Sequence, residues 1–133
     1  VIASTRTPAV VVALALAAAA VSGCRKSDRP DLGTVSGTVT LDGAPLANAR
    51  VLYTPSGPGR TSAGTTDAEG RYALAYLRDI MGANLGRHRV RITTATEENG
   101  GKELLPSRYN DPSELEADVA AGSNTIDFAL QSK

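Results

Sequence analysis

The side chains able to do chemistry in this 133-residue chain are few, and most stand alone. Its one cysteine, Cys24, has no second thiol with which to close an internal disulfide. A thiolate is nucleophilic, so the chemistry open to Cys24 is alkylation by something outside the fold. The one histidine is His88, whereas a zinc site wants several His, Cys or carboxylate ligands. It is read as a packed side chain on the apolar face of a strand. Arg87, Arg89 and Arg91 alternate with His88, Val90 and Ile92. In a strand they would project to one side about 6.6 Å apart and form a candidate anion-binding face. The competing account is a solvated row whose arginines pair with Asp127 or with glutamates on neighbouring strands. Asp42, Asp67 and Glu69 sit at turn signals and together fall short of the roughly six to eight oxygens that calcium takes. No catalytic constellation, metal site or cofactor site is expected.

The setting of Cys24 gives its thiol a use. Residues 1–7 carry one basic side chain, Arg6, and no acid, and the apolar run PAVVVALALAAAAV from Pro8 to Val21 follows. That is the layout of a secretory signal peptide. As a helix these 14 residues would span about 21 Å, short of the roughly 30 Å that a permanent transmembrane helix crosses. The run ends in Val21-Ser22-Gly23-Cys24. This resembles the lipobox of bacterial lipoproteins, an aliphatic residue and two small ones before the cysteine. The resemblance implies cleavage before Cys24 and a diacylglycerol thioether on its sulfur, with acyl chains that together anchor stably where one would bind marginally. The expected localisation is therefore exported and membrane-anchored, on the periplasmic or cell-surface side. Arg25 is not the aspartate that resembles an inner-membrane retention signal, and the choice of membrane stays open.

The elements that must follow the anchor are set by composition and periodicity. Arg25 to Asp31 is charged and lacks large apolar side chains, so residues 24–33 read as the lipidated cysteine and a polar tether. About a hundred residues then remain, which is enough for one modest core without staples. Lys plus Arg and Asp plus Glu number 14 each; without residues 1–23 the balance is 13 against 14, which implies no nucleic-acid partner. With four tyrosines, one phenylalanine and no tryptophan, a stacking platform for bases or sugars is poorly supported.

From residue 34 to residue 131 the pattern has period two in short segments broken by Gly, Pro, Asn and Asp. Thr34 to Leu41 alternates into an Asp42-Gly43 turn, and Ala49, Val51 and Tyr53 share one face of the next strand. Ser62 to Thr66, the turn Asp67 to Gly70, and Arg71 to Tyr76 read as a hairpin with Tyr72, Leu74 and Tyr76 inward. Leu77 to Gly86 reads as a loop, and Thr94 to Pro112 as a long irregular stretch. Leu115 to Val119 and Thr125 to Leu130 complete the set, the last with Ile126, Phe128 and Leu130 inward and Asp127 outside. The expected fold is all-β: a single seven-stranded β-sandwich of transthyretin or immunoglobulin type, preceded by the lipoprotein signal peptide.

The segments VSGTVTLDGAPLANARVLYTP, GTTDAEGRYAL, GRHRVRIT, LPSRYNDPSELEADV and NTIDFAL carry a more specific resemblance. Over residues 33–130 they look like the carboxypeptidase regulatory-like domain, especially the single-domain lipoproteins of planctomycete bacteria. That resemblance implies a transthyretin-like sandwich without the zinc peptidase half of regulatory carboxypeptidases. The leading functional expectation is a non-catalytic, membrane-anchored module with a binding or structural role at the cell envelope, another envelope protein being one candidate partner. A polysaccharide-binding or accessory module is the second reading. A transthyretin-like hydrolase is the third, opposed by the single histidine and by an ending, Ala129 to Lys133, unlike that of hydroxyisourate hydrolases.

Overall fold

The computed structural model describes residues 30–97 and 100–133, and their regular structure is strand, with short 3-10 turns. The signal-peptide reading and most of the tether lie outside the described residues. Two sheets form a sandwich. In the first, β1 (Leu32–Leu41) is central. Along one side run β11 (Gly122–Thr125) and β12 (Phe128–Leu130), both parallel to β1. Along the other run β8 (Ala83–Asn84), β5 (Arg71–Ala73) and β2 (Ala44–Pro45), all antiparallel to it. The second sheet has the order β10 (Leu115–Val119), β9 (Gly86–Thr93), β3 (Arg50–Pro55), β4 (Ser62–Thr65), β6 (Ala75–Leu77), β7 (Ile80–Met81).

Local chemistry explains the parts that follow expectation. Asp42 (φ 51°) and Gly43 (φ 86°) both take positive φ, as a two-residue type I′ turn requires, and Leu41 pairs with Ala44 across it. On β3, Val51 and Tyr53 are buried; on β9, His88, Val90 and Ile92 are buried while the three arginines face outward. The two strands are antiparallel neighbours, with Val51 opposite Ile92 and Tyr53 opposite Val90. Alternation was sufficient to assign these faces because both strands have one side in the core.

Other expectations are corrected. The first strand starts at Leu32, inside the stretch assigned to the tether, since Leu32 and Gly33 already pair with Asn84 and Ala83. The Asp67–Gly70 turn forms, with Asp67 N–H donating to the Arg71 carbonyl and Gly70 at φ 77°, but the hairpin is interrupted, and of its flanks only Ala63 and Ala75 pair. β4 stays in the second sheet, where Thr66 exchanges hydrogen bonds with Ala49, through N–H to carbonyl at 2.8 Å and from Ala49 N–H to Thr66 Oγ1 at 2.9 Å. β5 crosses to β1 in the first sheet. The chain returns at Leu74, whose N–H bonds the Val35 carbonyl, and Ala75 then pairs with Ala63 of β4. Tyr72 and Leu74 are core residues, but Tyr76, beyond the crossing, is only half-buried under the Arg60 guanidinium.

The expected strand from Thr125 to Leu130 is also divided; with the crossing at Leu74 this makes nine segments of the seven expected strands, and the short β2, β7 and β8, in stretches read as turn or loop, bring the described segments to twelve. β11 and β12 keep one register against β1, Ser36 opposite Thr125 and Val39 opposite Phe128, yet the ladder opens between them. There Ile126 N–H bonds the Ser36 carbonyl, and the Asp127 carboxylate replaces a backbone acceptor for Thr38 N–H, each at 2.8 Å. Asp127 is thus outside, as expected, but tied to β1. The Ile126 carbonyl lies over Gly37, where a Cβ would come within 1.8 Å of it.

The core is an aromatic cluster between the sheets. Tyr53 is fully buried and packs on His88, Tyr72 and Phe128, with ring centroids 5.6, 6.4 and 6.4 Å away. Tyr72 donates to the Ile126 carbonyl at 2.6 Å, so its oxygen accepts from the Tyr53 hydroxyl at 3.0 Å. Two buried hydroxyls are thereby satisfied in series. Burial pushes the Tyr53 hydroxyl up to about 12, and burial with the Tyr53 contact raises Tyr72 as well.

The long stretch after β9 is organised by one carboxylate. Glu103 accepts from Thr94 N–H (3.0 Å), Thr94 Oγ1 (2.9 Å), Leu105 N–H (3.2 Å) and the Thr93 hydroxyl. Partial burial alone would raise its pKa, but these bonds outweigh it and the net shift is downward. A lowered folded value means that the stabilisation is present above the ordinary value of 4.5 and is lost as pH falls through the folded value. Glu103→Gln should cost about 1–2 kcal/mol at neutral pH. It should also flatten the acid limb of a stability profile measured by denaturant titration between about pH 7 and 3. An acid limb unchanged in the variant would show that Glu103 is not its source.

Candidate functional site

Cys24 lies outside the described residues. His88 is fully buried in β9, its Nε2–H donating to the Asn84 carbonyl at 2.7 Å while Nδ1 faces the core without a hydrogen-bond partner. Sealed behind Tyr53, it cannot reach a substrate, and its place is that of a packed residue.

The arginine row stands on the outer face of β9, as the alternation requires. Its partners come from β10 next to it. Arg87 meets Glu116 at 3.0 Å and Asp118 at 3.4 Å, and Arg89 meets Glu116 at 3.6 Å. Asp127 takes no part because it belongs to the other sheet, which corrects that suggested pairing while keeping the one with glutamate. All these side chains are about half exposed, so each pair is worth under about 1 kcal/mol. Sequence reasoning missed a second use of the row. Arg89 donates to the Ser113 carbonyl and Arg91 to the Asn110 carbonyl, the latter at 2.8 Å, so they hold the loop that leads into β10. An open groove of about 410 Å³ runs beside them, lined by Arg89, Arg91 and residues 110–113.

That loop follows the 3-10 turn Ser107–Tyr109, whose buried Tyr109 accepts from Gln131 N–H at 3.0 Å. Arg108 lies over the Tyr109 ring and donates to the carbonyls of Gln131 and Lys133. The acidic turn residues are likewise spent on the backbone. Asp67 accepts from Glu69 and Arg71 N–H, and Asp42 accepts from Ser132 N–H and its hydroxyl; these bonds lower both carboxyl pKa values, with the Arg71 and Ser132 contacts leading. A further concavity, about 440 Å³, is lined by Asn48, Arg50, Ala63, Gly64, Thr65, Thr96 and Glu97 on the face of the second sheet.

A different feature gathers at the end of the sandwich where β1 begins. Leu77, Met81 and Leu85 are 38%, 52% and 40% exposed, on or beside the β6–β7 hairpin and β8. The signal was present in the sequence as four large apolar residues, Leu77, Ile80, Met81 and Leu85, within a stretch read only as a loop.

No family model matches the chain, and no curated protein matches it. Among solved structures it is similar to a DUF3823 family protein from Parabacteroides merdae, with a TM-score of 0.48 and 13% identity over 77% of this chain. The chain spans 47% of that protein, just under half its length. The two-sheet architecture therefore rests on the strand pairings of this chain itself.

Proposed function

We propose that this chain is an exported lipoprotein, anchored to a membrane by acyl chains on Cys24, whose β-sandwich is a non-catalytic module for an envelope partner. The observation that carries the reading is the position of the only cysteine, at the end of a 14-residue apolar run and directly after Val21-Ser22-Gly23. The fold is consistent with that use. The charged stretch after Cys24 is followed by β1 at Leu32, so a folded unit begins within a short tether of the thiol. The candidate acid and base groups are occupied structurally: His88 in the core, and Asp42, Asp67 and Glu103 on backbone hydrogen bonds. The outer strands β7 and β10 of the second sheet offer edges on which an extended segment of a partner protein can add a strand. The transthyretin-like variety of sandwich and membership of the carboxypeptidase regulatory-like family belong to the same proposal, on the motifs quoted above.

The test is metabolic labelling with a radioactive fatty acid and membrane fractionation of Cys24→Ala beside the wild type. The wild type should be labelled and sediment with membranes. The variant should lose the label entirely and run as a soluble or uncleaved protein. A variant that is still labelled, processed and membrane-bound would refute the anchor.

A further inference from the structure

The exposed apolar residues of the sandwich are not spread evenly, and the tether enters beside most of them. Leu32 pairs with Asn84, so Leu85 follows directly from the strand against which β1 begins. Gly82 is equally close, since a Cβ placed on it would lie 3.3 Å from the Leu32 Cβ, and Met81 precedes it. Leu77 pairs with Ile80 in the same hairpin. Around this patch are Arg78, Asp79, and the half-buried Tyr76 with the Arg60 guanidinium 5.5 Å from its ring centre. Apolar tips beside an amphipathic tyrosine and arginines form the composition that suits the boundary between water and lipid. The other strongly exposed large apolar residue, Leu104 at 56%, is at the opposite end, bonded to Thr94 beyond the last residue of β9.

Chain length selects which end meets the membrane. From Cys24 to Leu32 is eight residue steps, at most about 29 Å when fully extended and about 16 Å as a flexible coil. The eight residues of β9 separate the Leu85 end from the Thr94 end by about 26 Å. A relaxed tether therefore keeps the Leu32 end near the lipid surface. Bringing Leu104 down instead demands a nearly straight chain along the side of the domain.

We infer that the end of the sandwich formed by Leu77, Met81 and Leu85 rests on the lipid bilayer, so that the membrane is a second partner of the domain as well as of its acyl chains. The inference rests on the anchoring of Cys24 proposed above. It sets the orientation: the Asn48 to Glu97 groove and Leu104 face away from the membrane.

The test uses the full acylated chain in phosphatidylethanolamine and phosphatidylglycerol vesicles, with a fluorophore attached at Met81→Cys or at Leu104→Cys. Acylation of Cys24 leaves the introduced thiol free for labelling. Quenching by a spin-labelled lipid should be at least threefold stronger at position 81 than at position 104, a margin of about 0.65 kcal/mol in apparent partition. Equal quenching, or stronger quenching at 104, overturns the inference. Mass measurement of the N-terminal peptide from the same sample separates the two proposals. Acyl mass present with equal quenching removes the orientation alone, whereas acyl mass absent removes both.

Discussion

Tyr53→Ala should destabilise the domain by about 3–5 kcal/mol, the range for removing a large aromatic side chain from a core. That is a large part of the roughly 5–15 kcal/mol that a domain of this size commands. The position is severe for two reasons. The ring is the hub that touches His88, Tyr72 and Phe128, so its loss leaves facing surfaces from both sheets without contact. Its hydroxyl is also the donor to Tyr72, which in turn donates to the Ile126 carbonyl. Tyr53→Phe isolates the second effect. It keeps the ring, removes one donor from a chain whose remaining link to Ile126 survives, and should cost only about 1 kcal/mol. Denaturant titration followed by far-UV circular dichroism reads both variants. If phenylalanine proved as damaging as alanine, the hydroxyl chain rather than the packing would be the main stabilising element.

Gly37→Ala should be nearly as damaging, about 3 kcal/mol or more, although it adds one methyl group. The new Cβ would stand 1.8 Å from the Ile126 carbonyl oxygen, and no rotamer can relieve a clash with backbone. The junction of β11 and β12 would have to move away. With it would go the Ile126 to Ser36 bond, the Thr38 to Asp127 bond and the acceptor of Tyr72. Gly57→Ala is the control: nothing lies within 4 Å of its Cβ position and its φ is not positive, so the change should stay within about 0.5 kcal/mol. Amide hydrogen exchange should show the loss of protection in Gly37→Ala concentrated in residues 122–130. Protection lost uniformly across the second sheet would contradict this account.

These two positions show how far the residues alone could lead. Tyr53 was placed inward by its spacing from Ala49 and Val51, and Tyr72 by its spacing from Leu74. Their hydroxyl chain was not visible, because they come from different sheets and the acceptor at its end, the Ile126 carbonyl, is 54 residues further on from Tyr72. Gly37 lies within the first quoted segment, but the carbonyl that makes it necessary, that of Ile126, sits at the junction of β11 and β12 almost ninety residues away. The candidate sites divide in the same way. The outward direction of Arg87, Arg89 and Arg91 was legible, while the carboxylates that meet them depended on which strand lies beside β9. The exposed end at Leu77, Met81 and Leu85 was hidden for the opposite reason: a loop reading attends to the breaks in the chain and passes over the apolar side chains between them.

By itself, the sequence determined the period-two strands, the turn at Asp42-Gly43, the faces of β3 and β9, and the singular setting of Cys24. Each depends on residues within one turn or one strand length of each other, where backbone sterics and alternation act directly. Only the tertiary structure decided that the chain after the Asp67 turn passes through the other sheet before Ala75 pairs back on Ala63, that the last strand runs parallel to the first, and which charges meet. Strand pairing is a choice among distant partners, made by burying both inner faces at once, and a local pattern of apolar residues is compatible with several such choices.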